Sequence, residues 1–356
     1  MKSKTILFLL ATILFFASCE KIAMHPKPGK NNLDIFNEYS KICIEKFGLS
    51  QVKGINLTTL ADSIRPFITS DLSQEELFNN MGIITTRMKE GHTNLEAIEE
   101  EYFANYWYFL GYPPANNAII TSTYYYGEAA NPNVQKIAPS DSYFEVLYGF
   151  LPQDNEIGYI RITSFEMTIS DAELEKMMVY LKDAKGIIID IRGNFGGYIN
   201  LGARLASYFT TKEIVFATNY IKNGPGTADF AGSKMKLTPS GSAYTYSKPV
   251  ALLHDRVTFS TGSLFTIMLY SLDNTTTIGQ IFGGGTGEII DGFLSNGWRY
   301  NLSTSNFIDN QGRPTDNGID ADIPMIINPA DTATDAIIER AILELQSRDK
   351  GLRIKK

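Results

Sequence analysis

From Leu33 to Met88 apolar residues recur at helical spacing, first as Leu33, Phe36, Tyr39 and Cys43, later as Leu77, Met81 and Ile84, with breaks at Gly48 and Pro66. Ser73 followed by Glu76 has capping-box spacing, which predicts a helix starting just before Leu77. The pattern therefore predicts a small helical domain over 33–91, ending near Lys89-Glu90-Gly91-His92-Thr93. Beyond it the period changes. Tyr102 to Leu110 is densely aromatic, Ala118 to Tyr124 is β-prone, and Ile157 to Ile162 reads as a strand.

Strands and helices then alternate. Asp171 to Ala184 places Leu174, Met177, Met178 and Leu181 on one face, and this helix feeds the apolar strand Gly186 to Ile191. Asn200 to Phe209 is helix-like, Pro249 to Leu253 a buried strand, Ser260 to Leu272 helix-like again, and Thr275 to Ile278 another strand. Asp331 to Gln346 reads as a C-terminal helix through Ile337, Ile338, Ala341, Ile342 and Leu345. The alternation predicts an α/β fold with a mixed sheet and flanking helices over 92–347, followed by a tail at 348–356.

The amino terminus has its own pattern. A basic start, Met1 to Lys4, precedes an apolar run from Thr5 to Ala17, too short to span a bilayer comfortably and typical of an export signal. Small residues lead into Cys19 in Phe16-Ala17-Ser18-Cys19, which resembles a bacterial lipoprotein signal. That resemblance implies a signal at 1–18, lipid on Cys19, a tether over 19–32 and a lipid-anchored location in a bacterial cell envelope. Cys43, between Ile42 and Ile44, then lacks an intramolecular partner and reads as a small core residue.

Charge and composition narrow the function. With 32 Lys and Arg against 39 Asp and Glu, the net charge is −7, and removal of Lys2 and Lys4 takes it to −9, a poor surface for nucleic acid. Two cysteines and three histidines exclude a multi-bridge disulfide framework and a zinc site built on cysteine clusters. No metal or organic cofactor is implied.

Three glycine-rich strand ends are candidates for chemistry. In Asp190-Ile191-Arg192-Gly193-Asn194-Phe195-Gly196-Gly197 the paired glycines can aim backbone N–H groups at a ligand, or simply make a tight turn. In Phe259-Ser260-Thr261-Gly262-Ser263 the serine opens a helix, where it is either an N-cap or a nucleophile beside an anion-stabilising helix terminus. Phe282-Gly283-Gly284-Gly285-Thr286-Gly287 lacks the Walker ending, and no G-x-S-x-G surrounds Ser260.

Ile157 to Phe165, Gly186 to Gly197, Arg256 to Leu269 and Asn317 to Ile323 resemble, in order, the blocks of C-terminal processing peptidases, also called tail-specific proteases. The resemblance implies a ClpP/crotonase-like core and a serine peptidase acting on polypeptide. It assigns the nucleophile to Ser260 and the oxyanion donors to Gly196 or Gly197 together with Thr261. The lysine-using branch has Phe-Gly-Lys-Gly where this chain has Phe282-Gly283-Gly284-Gly285, and lysine is absent between Lys248 and Lys350. Only 61 residues separate His92 from Asp154, too few for the usual PDZ insert as well as core strands.

These departures resemble the histidine-using branch typified by the tricorn protease core, whose histidine follows the helical domain, as His92 does here. Imidazole is a suitable base for a serine hydroxyl near neutral pH. His254 is the other histidine near a strand end, and His25 falls in the tether. Asp316 matches the neighbourhood of the branch's orienting acid, or is a turn residue; Gly91 replaces the serine that precedes the histidine. The rival expectation is a non-catalytic lipoprotein that binds peptides or apolar ligands on the same fold.

Overall fold

The computed structural model describes residues 31–97, 104–106, 134–139, 142, 144–328 and 334–349. Cys19 with its signal and tether, His25, Ala118 to Tyr124, residues 350–356 and most of the aromatic run 102–110 lie outside the described residues. In chain order the elements begin with α1 (Asn32–Lys46), α2 (Leu57–Ile64), α3 (Gln74–Met88), β1 (Asn94–Ala97), β2 (Ala104–Tyr106), β3 (Gln135–Ile137), β4 (Val146–Phe150) and β5 (Ile157–Ile162). They continue with α4 (Asp171–Leu181), β6 (Gly186–Asp190), α5 (Ile199–Ala206), β7 (Ile214–Lys222), β8 (Phe230–Leu237), β9 (Val250–His254) and α6 (Thr261–Tyr270). The last are β10 (Thr275–Gly279), β11 (Ile289–Phe293), β12 (Arg299–Ser303), β13 (Ser305–Asp309), β14 (Ile323–Pro324) and α7 (Ala336–Asp349).

Two compact units result, one drawing on 1–109, 222–229 and 289–304, the other on the remainder. In the first, α3 starts at the capping box that its sequence spacing predicts: Ser73 accepts the Glu76 N–H and Glu76 accepts the Ser73 N–H. The buried stripe of α1 and α3, with Phe36, Tyr39, Cys43, Leu77 and Met81, is closed by Leu95, Ala97, Trp298 and Leu302. Leu95, Ala97 and Leu302 belong to the antiparallel sheet β11-β12-β1-β2, and Trp298, directly before β12, meets Phe78 edge-on at 5.0 Å. The helices expected over 33–91 are present and pack on this sheet, because short amphipathic helices need an apolar partner, which Leu95 and Ala97 of β1 and Leu302 of β12 help supply. Cys43 is buried as expected, and burial pushes its thiol up to about 12, which makes it inert.

The second unit contains the expected mixed sheet, in the order β14-β10-β9-β6-β5-β4-β3. Pairing is parallel from β14 to β5 and antiparallel across β5, β4 and β3. Side chains alternate through β6: Ile187 and Ile189 enter a core shared with Met177, Met178 and Phe265, while Ile188 faces Ile337, Ile338, Ala341 and Leu345 of α7. Helices on both faces explain why this strand is continuously apolar rather than alternating. A second sheet, β13-β7-β8, has a mostly exposed outer strand whose residues carry no apolar period.

Candidate active site

The parallel strands β5, β6 and β9 are neighbours, so the chains leaving their carboxyl ends emerge side by side. Asp255 locks two of them together, its Oδ1 accepting the N–H groups of Gly193, Val257 and Thr258 at 3.0–3.1 Å. Asn194 links all three. Its Nδ2 donates to the Ile162 carbonyl at 3.1 Å, its own carbonyl accepts the Phe259 N–H at 3.0 Å, and its Oδ1 accepts the Gly196 N–H at 2.8 Å.

Ser260 sits at the head of α6 with φ 53° and ψ −121°, and the Gly262 N–H bonds back to the Phe259 carbonyl at 2.8 Å. That is a type II′ turn with serine at the position glycine favours. Ser260 is not an N-cap, since its side chain makes no capping hydrogen bond. Its N–H is taken by the Gly284 carbonyl at 3.0 Å, while α6 behind it is buried from Thr261 to Leu269. The strained strand-to-helix corner and the free hydroxyl are what a nucleophile requires.

The two glycines pack differently. A Cβ on Gly196 would lie 2.7 Å from Ser260 Cβ and 2.9 Å from the Thr261 nitrogen, so only glycine leaves room beside the turn. Gly197 presses against the 165–166 backbone, where a Cβ would stand 2.1 Å from the Glu166 nitrogen, and its carbonyl accepts Thr261 Oγ1 at 2.5 Å. Because Asn194 occupies the Gly196 N–H, Gly197 and Thr261 hold the uncommitted backbone donors of this corner among the described residues. Phe195, Tyr198 and Ile199 flank the pair and remain exposed.

The run Gly283 to Gly285 is a packing device. A Cβ on Gly284, at φ 82°, would meet the Asp316 carbonyl oxygen at 1.9 Å, and one on Gly285 would enter the Phe259 ring at 2.1 Å. No lysine could occupy position 284 without breaking this contact. Asp316 itself is buried, in a turn closed by the Gly318 N–H on the Thr315 carbonyl at 3.0 Å, and its backbone underlies the loop that holds Ser260.

Beneath the glycine loop lies an ionic network for which the sequence reading assigned no role. Asp190 accepts Tyr159 Oη at 2.7 Å, Arg161 Nη1 at 2.8 Å and Arg192 Nη2 at 2.6 Å, and Arg192 Nη1 reaches Asp335 Oδ2 at 2.8 Å. Burial pushes the Asp190 carboxyl up, but Arg161 and Arg192 outweigh it and hold it below the usual range. Asp335 also caps α7, accepting the Ile337 N–H at 3.0 Å. The available signal was Asp190 and Arg192 ending an otherwise apolar strand, where a buried charge must be paired.

Of the histidines, His254 is buried against Phe282, ring centroids 5.8 Å apart, and burial takes it down to about 4, a packed neutral core residue. His92 belongs to the first unit, just past α3. Its N–H donates to Glu90 Oε1 at 3.0 Å and its Nδ1 lies 3.6 Å from the same oxygen. Burial lowers its pKa and Glu90 opposes this, so the imidazole is neutral at pH 7. Glu90, buried at 1% exposure, was missed because Lys89-Glu90-Gly91 reads like any solvated turn.

Residues 156–325 match the model of peptidase family S41. The chain is similar to the carboxy-terminal processing protease CtpA of Bacillus subtilis, at 33% identity over 141 residues, 38% of this chain and 27% of the relative. The chain thus aligns with about a quarter of that curated relative's length. Over 92% of this chain and all of the other, the fold matches a candidate peptidase from Parabacteroides merdae at 27% identity and TM-score 0.75. The tricorn protease shares the fold at TM-score 0.54 and 13% identity, over 91% of this chain and 37% of that one.

Proposed function

We propose that this chain is a serine peptidase of a bacterial cell envelope, held to a membrane by lipid on Cys19, with Ser260 as nucleophile and His92 as base. The observation that carries the reading is the Ser260 turn: a serine in a glycine conformation, hydroxyl uncapped, beside the uncommitted N–H groups of Gly197 and Thr261. Ser260 Oγ attacks the carbonyl carbon of a polypeptide while His92 takes its proton. The Gly197 and Thr261 N–H groups stabilise the tetrahedral oxyanion. Protonated His92 then gives its proton to the leaving amine, and water hydrolyses the acyl-enzyme by the same route.

Gly284 and its tight seat on Asp316 favour histidine over a lysine from the 283–285 loop. Exposed Phe195, Tyr198 and Ile199 beside the donors suit extended, apolar polypeptide. Among the described residues no helix is long and apolar enough to cross a membrane, and the anchor rests on the Ala17-Ser18-Cys19 pattern.

Labelling with a serine-directed fluorophosphonate tests the site. The wild type is expected to label, Ser260→Ala not at all, and His92→Ala far more slowly. An unlabelled wild type would favour the non-catalytic binder. For the anchor, palmitate incorporation that survives Cys19→Ala would refute lipidation at that position.

A further inference from the structure

We infer that Glu90 is the carboxylate that positions His92, fixing its tautomer and orientation; this rests on the reading of His92 as base. The carboxylate is held by three donors on the same unit. Oε1 accepts the His92 N–H at 3.0 Å, and Oε2 accepts Thr93 Oγ1 at 2.9 Å and Ser303 Oγ at 2.7 Å. The clamp is itself fixed, because the Ser303 N–H donates to Thr93 Oγ1 at 3.3 Å and the Ser303 carbonyl accepts the Gly48 N–H at 3.0 Å. A carboxylate so held cannot swing away from the imidazole.

With two donors on Oε2, the oxygen left facing the ring is Oε1, 3.6 Å from Nδ1. That is ion-pair distance rather than hydrogen-bond length, as in many resting sites whose catalytic contacts tighten only with substrate. An acceptor beside Nδ1 selects the tautomer protonated there and leaves the Nε2 lone pair to receive a proton. The Glu90 charge opposes the effect of burial on the His92 imidazole, while Thr93 and Ser303, which hold the carboxylate, are neutral.

Histidine NMR of the full chain tests this separately from catalysis, because only three histidines need assigning. In the wild type, ring nitrogen shifts should show His92 protonated on Nδ1; a predominant Nε2–H tautomer overturns the inference without any variant. In Glu90→Gln the His92 pKa should fall by about one pH unit, because a nearby carboxylate favours imidazolium. Asp316→Asn should leave it in place. An unchanged value in Glu90→Gln, or a larger fall in Asp316→Asn, refutes Glu90. Fluorophosphonate labelling at pH 7 should slow about 100-fold or more in Glu90→Gln, with recovery in Glu90→Asp. If His92→Ala labels at the wild-type rate the base assignment fails, while the NMR result still judges the Glu90 contact.

Discussion

Replacing Ser260 by glycine separates the conformational cost of the turn from the chemistry of its side chain. Serine at φ 53° and ψ −121° occupies a region where Cβ clashes with the backbone, which costs about 1–3 kcal/mol. Glycine relieves that strain but gives the unfolded chain more freedom, an opposing effect of about 0.4–1 kcal/mol. The Ser260 side chain makes no capping bond, so none is lost on substitution. Ser260→Gly should therefore be more stable than wild type by about 1 kcal/mol, equivalent to a rise of about 2–4 °C for a unit of this size. Ser260→Ala keeps the Cβ and should melt close to wild type, although neither variant labels with fluorophosphonate. Calorimetry of the three proteins, with urea unfolding followed in parallel, gives the comparison. If Ser260→Gly proves less stable than Ser260→Ala, the turn is not strained and the argument for a nucleophile held at conformational cost fails.

Gly284→Lys restores the sequence of the lysine-using branch but not its chemistry: with a Cβ at 1.9 Å from the Asp316 carbonyl, the variant should lose stability and fail to rescue labelling in a His92→Ala background. Stability should fall with acid through His254. Its folded value of about 4 lies below the unfolded 6.5, so the unfolded chain binds the proton first, and about 3 kcal/mol is lost as pH drops from 6.5 to 4. His254→Gln should flatten that part of a pH-dependent urea titration. Labelling through His92, whose pKa is lowered by burial, should reach half of its plateau at a pH below the ordinary histidine value of about 6.5. Arg192→Met leaves Asp335 unpaired beneath α7 and should cost about 3–5 kcal/mol in equilibrium unfolding, far more than loss of the exposed pair Lys185–Glu156.

Local pattern alone determined much of this protein. The capping box at Ser73, the stripe Leu174-Met177-Met178-Leu181 and the apolar run Ile187–Ile189 each encode an element through short-range spacing, and their alternation encodes the mixed sheet. Close backbone approach leaves a glycine signature, which marked three strand ends, and the resemblance of the ordered blocks to C-terminal processing peptidases then pointed to Ser260 among them. Tertiary structure decided what depends on residues far apart in the chain. Trp298 and Leu302 complete the core of helices that end at Met88, and Asn194 commits the Gly196 N–H while leaving that of Gly197. Asp335 pairs with Arg192 across more than a hundred residues, and Ser303 clamps Glu90 beside His92. Such contacts have no period and no fixed spacing. They come into being only when separate strand ends converge and buried polar groups must find partners there.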